Sequence, residues 1–108
     1  MKLENKVAIV TGGGKGIGAE ICLRLAKEGA KIVIAEMDIE SGKNTQKKIM
    51  ENGGEAIVVN TNVADEVSVN NMTEEAVKKF SKIDILINNA GIRHINNCLL
   101  YTSPSPRD

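Results

Sequence analysis

An apolar, β-branched run leads into a cluster of glycines in residues 7–18, which read Val7-Ala8-Ile9-Val10-Thr11-Gly12-Gly13-Gly14-Lys15-Gly16-Ile17-Gly18. Such a run is typical of a buried strand, and the glycines after it predict a tight turn into a helix. At a junction of this kind, backbone N–H groups and the positive end of the helix dipole point to one place. That place suits a phosphate group.

Three of these glycines have separate predicted tasks. Gly12 turns the chain, Gly16 lets a pyrophosphate approach the backbone, and Gly18 lets the helix pack against the strand. Their spacing is Gly-x-x-x-Gly-x-Gly rather than the commoner Gly-x-Gly-x-x-Gly, so the surrounding elements have to support the interpretation. By themselves, the glycines leave open the alternative of a loop made of small residues.

Composition excludes several classes of protein. At 108 residues the chain has room for one domain, and 14 basic residues balance 14 acidic ones. With no basic excess and 2% aromatic residues, we predict no nucleic-acid partner. The apolar runs are too short to cross a bilayer, and residues 1–5 lack a signal-peptide core. Cys22 and Cys98 have neither a disulfide framework nor metal-ligand spacing, which predicts no metal site and a reducing cytoplasm.

Helical periodicity recurs three times after the glycine turn. Ile17, Ile21 and Leu25 form the apolar stripe of the first helix, which we expect to end at Gly29. A second helix is predicted over residues 39–52, with Asp38 as its cap. Asp65 caps a third helix, whose predicted inward-facing residues are Val69, Met72, Ala76 and Phe80.

The predicted strands lie between these helices. After the first strand, apolar runs cover residues 31–35, 56–60 and 84–88. Their nearly continuous apolar character indicates burial on both faces, as in a parallel sheet covered by helices. The order βαβαβαβ predicts an α/β fold, namely the amino-terminal half of a Rossmann-type, doubly wound parallel sheet.

Two motifs at the ends of predicted strands resemble the amino-terminal signatures of the short-chain dehydrogenase/reductase family. They are Thr11-Gly12-x-x-x-Gly16-Ile17-Gly18 and Asn88-Asn89-Ala90-Gly91, and the similarity covers residues 3–92. The resemblance implies a nicotinamide dinucleotide cofactor and hydride transfer to or from an alcohol or ketone. Within the family, the pair Asn62-Val63 is similar to 3-oxoacyl-[acyl-carrier-protein] reductases, whereas many other relatives have aspartate in place of Asn62.

The same resemblance places the cofactor along the carboxyl ends of the strands. Residues 12–17 would wrap the pyrophosphate, residues 62–63 would lie by the adenine, and residues 89–91 would line the crevice. The amide of Asn88 either faces this crevice or ties neighbouring strand ends together. The complete predicted set of cofactor-binding residues is Gly12, Gly14, Lys15, Gly16, Ile17, Gly18, Glu36, Asn62, Val63, Asn89, Ala90 and Gly91.

Charge favours NAD over NADP. Glu36 closes the second strand, where a carboxylate accepts hydrogen bonds from an adenosine ribose and repels a 2′-phosphate. Lys15 lies in the turn where phosphate-accepting relatives often carry a basic residue, and a solvated surface lysine is its alternative role. NADP therefore stays possible. Asp38 is expected to act as a helix cap rather than as a ribose ligand.

No catalytic residue is predicted in the chain. The family uses a Tyr-x-x-x-Lys pair, with a serine and an asparagine, after the fourth strand. Here the only tyrosine is Tyr101, and Ser105 stands four residues later. We therefore expect an inactive fragment of an oxidoreductase whose full-length form is a cytoplasmic homo-oligomer acting on a small alcohol or ketone. The alternative is a non-catalytic, NAD-binding regulatory module.

The predicted architecture stops after Ile92. Residues 93–97 show no clear period and are predicted to be a loop. Residues 98–108, read back through the codon table, resemble a translated transposase adaptor used to build sequencing libraries. We therefore expect residues 1–92 to be a truncated NAD(P)-binding domain and residues 98–108 to be an irregular, artefactual tail. A Pro/Ser-rich disordered terminus is the alternative for these last residues.

Overall fold

Four parallel strands form one sheet in the computed structural model of the chain, which describes residues 2–89. The elements in chain order are β1 (Val7–Thr11), α1 (Gly16–Lys27), β2 (Lys31–Glu36), α2 (Ile39–Glu51), β3 (Ala56–Asn60), α3 (Glu66–Phe80) and β4 (Ile85–Ile87). Across the sheet the strand order is β3-β2-β1-β4. The predicted βαβαβαβ order and the parallel sheet are confirmed.

The two central strands are buried on both faces, as their apolar sequences predict. In β1, Ala8 and Val10 pack in a core with α1 and α2, whereas Val7 and Ile9 pack in a second core with α3. The residues of β2 alternate between the same two cores. This alternation follows from the pleat of a strand, which points successive side chains to opposite faces.

The helix ends lie close to where local signals predict them. Asp38 accepts a hydrogen bond from the Ser41 N–H at 3.3 Å and caps α2. Asp65 accepts one from the Val67 N–H at 3.0 Å and caps α3. Gly29 follows α1 with a φ of 99°, a conformation that favours glycine at the end of a helix;. The predicted caps and the stop after α1 are confirmed.

The predicted stripe of α1 is wrong at its first residue. Ile17 is 70% exposed, whereas Gly18 and Cys22 are the buried residues of this helix. Ile21 and Leu25 are partly buried against the core. The buried face is therefore centred about 100° around the helix from Ile17, because each residue advances by that angle.

The fourth strand is shorter than predicted, with three residues in place of five. Side chains at both ends of β4 bond to β1. The Val7 N–H donates to Asp84 Oδ2 at 2.8 Å, and the Thr11 hydroxyl donates to Asn88 Oδ1 at 3.1 Å. At the Val7 end, the Asp84 N–H also donates to the Val7 carbonyl oxygen at 2.9 Å. Side-chain bonds thus help to hold the two strands in register at both ends of β4.

Asp84 should make the fold sensitive to acid. Its hydrogen bond from the Val7 N–H, with a smaller contribution from Lys82 at 3.2 Å, lowers the pKa of Asp84 below its ordinary value of 3.8. Because the folded-state pKa is the lower one, the stabilisation is present above pH 3.8 and is lost as the pH falls through the folded value;. We expect Asp84→Asn to lower the urea midpoint at neutral pH, and this deficit to shrink in acid.

The measurement is urea unfolding by circular dichroism at a series of pH values from neutral to acid. Glu74→Gln, an exposed substitution on α3, is the control for loss of one carboxylate. A deficit of D84N that is the same at every pH would contradict the prediction.

Candidate functional site

The chain reverses direction across the sheet between β3 and β4. From β1 it builds outward through β2 to β3, and it then returns to place β4 on the other side of β1. In an open, doubly wound sheet such a reversal leaves a crevice outside the carboxyl ends of the two strands that flank it. Here those ends are Thr11–Gly12 at the end of β1 and Asn88–Asn89 after β4, both of which belong to the predicted signatures.

The glycine turn after β1 uses its glycines in different ways. Gly12 has a φ of 66°, and its N–H donates to the Ala35 carbonyl oxygen at 2.7 Å, which directs the chain across β2. A Cβ added to Gly18 would overlap the Gly12 carbonyl oxygen and lie 2.7 Å from Asn89 Nδ2. The predicted tasks of Gly12 and Gly18 are therefore confirmed: one turns the chain, and the other permits close packing.

Gly16, unlike the tightly packed Gly18, faces open space. Its φ is 50°, and a Cβ built on it would have no atom within 4 Å. Packing within residues 2–89 therefore gives no reason for a glycine at this position beyond its left-handed backbone. The open space in front of Gly16 leaves room for a ligand to approach the backbone at the start of α1.

Two glycines of the turn have packing roles that the sequence analysis missed. A Cβ on Gly13 would lie 2.8 Å from Cys22 Sγ, and one on Gly14 would lie 2.7 Å from the Gly42 nitrogen in α2. Burial, and secondarily the charge of Glu36, raise the pKa of Cys22 to about 12. The thiol therefore stays protonated and supports the underside of the turn, where it donates to the Gly13 carbonyl at 3.7 Å.

The amino terminus of α1 is suited to an anion. Lys15 is its N-cap residue, with extended backbone (φ −136°, ψ 151°) and no side-chain hydrogen bond to the helix. The first-turn N–H groups of a helix have no partner within the helix, and they carry the positive end of its dipole. Together with the space at Gly16, these donors fit the pyrophosphate of a dinucleotide.

Glu36 links the glycine turn to the turn after β2. Its Oε1 accepts from the Gly14 N–H at 2.9 Å, and its Oε2 accepts from the Asp38 N–H at 3.2 Å. Both carboxylate oxygens are therefore oriented by backbone donors at the carboxyl edge of the sheet. The carboxylate lies at the end of β2, as predicted, and the structure places it beside the glycine turn. It can accept further hydrogen bonds because each oxygen has two lone pairs.

Lys15 is paired rather than simply solvated. Its Nζ lies 3.1 Å from Asp38 Oδ2, with side chains 67% and 41% exposed. The hydrogen bond from Lys15, ahead of those from Ser41, lowers the pKa of Asp38. Lys15 is therefore an exposed surface lysine with one ionic partner, and Asp38 has a second contact in addition to its role as a cap.

At the end of β4, the two asparagines bond to the turn after β1. Asn89 Nδ2 donates to the Gly12 carbonyl oxygen at 3.4 Å. The Thr11 hydroxyl, to which the sequence analysis gave no separate role, approaches Asn88 Oδ1 at 3.1 Å and the Ile87 carbonyl oxygen at 3.3 Å. For Asn88, these contacts support the role of tying strand ends together. Ala90, Gly91, the predicted loop 93–97 and the predicted tail 98–108 lie outside the described residues.

Asn62 and Val63 shape the turn between β3 and α3. Asn62 Oδ1 accepts from the Ala64 N–H at 2.9 Å, and the Asn62 N–H donates to Ser68 Oγ at 2.8 Å. Asn62 is exposed and Val63 is half-buried, at the same edge of the sheet as Glu36. Their contact with an adenine stays a prediction.

Two further findings concern residues 2–89. No group of three or more histidine, cysteine, aspartate and glutamate side chains in this range could hold a metal ion. Within the same range, none of the helices combines the length and apolar character required to cross a membrane.

The fold and the crevice at its strand reversal define an α/β protein of the Rossmann type. The chain matches the family model described as "short chain dehydrogenase" over residues 6–104. It therefore belongs to the short-chain dehydrogenase family, and the resemblance found in the two motifs is confirmed.

Similar proteins agree with this assignment. The chain is 45% identical over 95 residues to an "Uncharacterized oxidoreductase" of Thermotoga maritima. The aligned region covers 88% of the chain and 37% of that relative. It is 34% identical over 91 residues to 7alpha-hydroxysteroid dehydrogenase of Escherichia coli, covering 84% of the chain and 36% of the relative. The chain thus spans a little over one third of the length of these relatives.

Solved structures with the same fold include nucleotide complexes. An NAD+-bound xylitol dehydrogenase superposes with a TM-score of 0.77 at 36% identity, covering 80% of this chain and 33% of that one. A hydroxysteroid dehydrogenase from Escherichia coli superposes with a TM-score of 0.79 at 32% identity, covering 81% and 37%. The NAD+-bound structure supports a nicotinamide cofactor for the family to which the chain belongs.

Proposed function

We propose that residues 1–92 are the dinucleotide-binding part of an oxidoreductase that transfers a hydride between a nicotinamide cofactor and an alcohol or ketone. The observation that carries this proposal is Gly16, which has a left-handed backbone and open space at the uncapped start of α1. Family membership supports the same conclusion, since short-chain dehydrogenases similar to this chain include NAD+-bound and NADH-bound structures.

In this proposal, each group of residues at the carboxyl ends of the strands has one task. The turn of residues 12–17 wraps the pyrophosphate, which the first-turn N–H groups and the dipole of α1 hold, and Glu36 accepts hydrogen bonds from the adenosine ribose. Residues 62–63 lie by the adenine, and residues 89–91 line the crevice near the strand reversal. The bound nicotinamide would supply or accept the hydride. We assign no catalytic residue in this chain and expect it to show no turnover by itself.

The cofactor is proposed to be NAD(H). Glu36 supports this choice because its carboxylate is fixed by two backbone N–H groups and so stays beside the proposed ribose. A 2′-phosphate at about 4 Å would be repelled by about 4 kcal/mol at a protein surface and about 1 kcal/mol in open water. The substrate is proposed only as an alcohol or ketone. The finer suggestion of a 3-oxoacyl thioester rests on its frequency in the family and on the pair Asn62-Val63.

The matched pair Gly16→Ala and Gly53→Ala tests the proposal. Both glycines have a positive φ, 50° and 86°, and a Cβ on either would have no atom within 4 Å. Both substitutions should therefore cost about 1 kcal/mol of stability through backbone strain. Only G16A adds a methyl group where the pyrophosphate is proposed to lie, so we expect it alone to weaken NADH binding, by about tenfold or more.

The measurement is titration of the full chain with NADH, followed by nicotinamide fluorescence, with unfolding curves of all three proteins in parallel. Equal affinities for G16A and G53A would contradict the assignment of this turn to the pyrophosphate. Absence of saturable NADH binding by the unmodified, folded chain would contradict the proposed function itself.

A further inference from the structure

The contact between Lys15 and Asp38 joins the two turns that border the proposed ribose position. Lys15 belongs to the turn after β1, and Asp38 to the turn after β2, with 3.1 Å between Nζ and Oδ2. Glu36 connects the same two turns through the Gly14 N–H. The ion pair is therefore at the place where a cofactor with an additional phosphate on its ribose would have to be accommodated.

Asp38 is held in position independently of Lys15. Its Oδ1 accepts from the Ser41 N–H at 3.3 Å, and its Oδ2 accepts from the Ser41 hydroxyl at 3.0 Å. Its backbone N–H donates to Glu36 Oε2 at 3.2 Å. The carboxylate is thus an ordered partner, whereas the lysine side chain is a long, flexible one that can take other positions.

Lys15 is the only basic residue in the glycine turn, residues 12–18, and Met37 adds no cation after Glu36. A 2′-phosphate needs a positive group to offset the repulsion from Glu36. Lys15 is the residue of these two turns that can supply it. While its ammonium group is paired with Asp38, that charge is already compensated.

We propose that Asp38 is a specificity-determining residue for the cofactor, which acts by holding Lys15 away from the 2′-phosphate of NADP(H). Asp38 is a positioning residue in this role, since its effect passes through Lys15 and not through contact with the nucleotide. The inference rests on the proposed function, because it requires a dinucleotide at this edge of the sheet. Cofactor preference would then have two determinants: the charge of Glu36, and the pairing of Lys15 with Asp38.

The test compares NADPH and NADH affinities of Asp38→Asn, Lys15→Met and the double variant with those of the unmodified chain. Asparagine is as good a helix cap as aspartate, so D38N removes the charge and keeps the cap. We expect D38N to bind NADPH about threefold to about tenfold more tightly, with NADH affinity changed less than about twofold; the effect is moderate because the pair is exposed. In the double variant the gain in NADPH affinity should disappear.

Asp65→Asn is the matched control. Asp65 caps α3 as Asp38 caps α2, and the substitution produces the same change in net charge near the same edge of the sheet. D65N should leave the ratio of NADPH to NADH affinity unchanged. A gain for D65N equal to that of D38N would assign the effect to net charge and overturn the proposal.

A second readout needs no cofactor. In solution, the pKa of Asp38 measured by NMR should rise in K15M toward the ordinary value of 3.8, because the main cause of its lowering is removed. An unchanged pKa would show that the ion pair does not form in solution and would overturn the inference.

An unaltered affinity ratio in D38N, or a gain that persists without Lys15, would also overturn this inference. Either result would leave NADH binding, and hence the proposed function, intact. If NADH itself does not bind, both fall together.

Discussion

Gly18→Ala should destabilise the fold by about 3 kcal/mol, at the upper end of the usual range for added volume in a packed interior. The new methyl group would overlap the Gly12 carbonyl oxygen, which is backbone and cannot rotate away. Gly12 is itself fixed by its hydrogen bond to the Ala35 carbonyl. Relief of the overlap therefore requires α1 to move away from β1. The methyl group would also lie 2.7 Å from Asn89 Nδ2, the donor to the Gly12 carbonyl.

Gly16→Ala, two residues earlier, is the comparison for this effect. Its methyl group would enter open space, so its cost is limited to about 1 kcal/mol of backbone strain;. Denaturant unfolding followed by circular dichroism measures both free energies. A difference of less than about 1 kcal/mol between G18A and G16A would contradict the packing role assigned to Gly18.

Glu36→Gln should shift cofactor preference toward NADPH by about fivefold to about 700-fold. Removal of the negative charge eliminates repulsion worth about 1 to about 4 kcal/mol at ~4 Å, and each 1.4 kcal/mol corresponds to about tenfold in affinity. The glutamine keeps one acceptor oxygen for either the Gly14 or the Asp38 N–H and loses the other bond. We therefore expect a loss of about 1 kcal/mol in stability as well.

Titration of E36Q with NADH and NADPH measures this shift, and Glu55→Gln is its control. Glu55 lies just before β3, at the amino-terminal ends of the strands and so away from the proposed cofactor position. It pairs with Lys31 at 3.9 Å. E55Q should leave the affinity ratio unchanged. A ratio in E36Q within about twofold of that in the unmodified chain would argue against a ribose position beside Glu36.

Much of the fold follows from local patterns. The β-branched runs of β1, β2 and β3, and the caps Asp38 and Asp65, lie where the sequence predicts them. These signals are local because a strand period, a cap or a glycine with positive φ depends on only a few neighbouring residues. The glycine motif likewise predicts the tasks of Gly12 and Gly18 from their spacing alone.

Contacts between distant residues were not predictable in this way. Periodicity placed Ile17 on the buried stripe of α1, but the direction in which the helix faces the sheet leaves that side chain exposed. The ion pair of Lys15 with Asp38 and the packing of Gly13 on Cys22 join residues that have no shared local pattern. Such pairs form only when the sheet brings neighbouring turns to one edge.

Residue order and periodicity were thus sufficient for the class of fold, the sequence of its elements and the position of the glycine turn. Each of these depends on backbone conformations that neighbouring residues specify. The partners of Glu36, Lys15 and Asp38 depend instead on how β1 and β2 lie side by side, because parallel strands place the turns after them next to each other;. Charge pairing across that edge is a property of the assembled sheet.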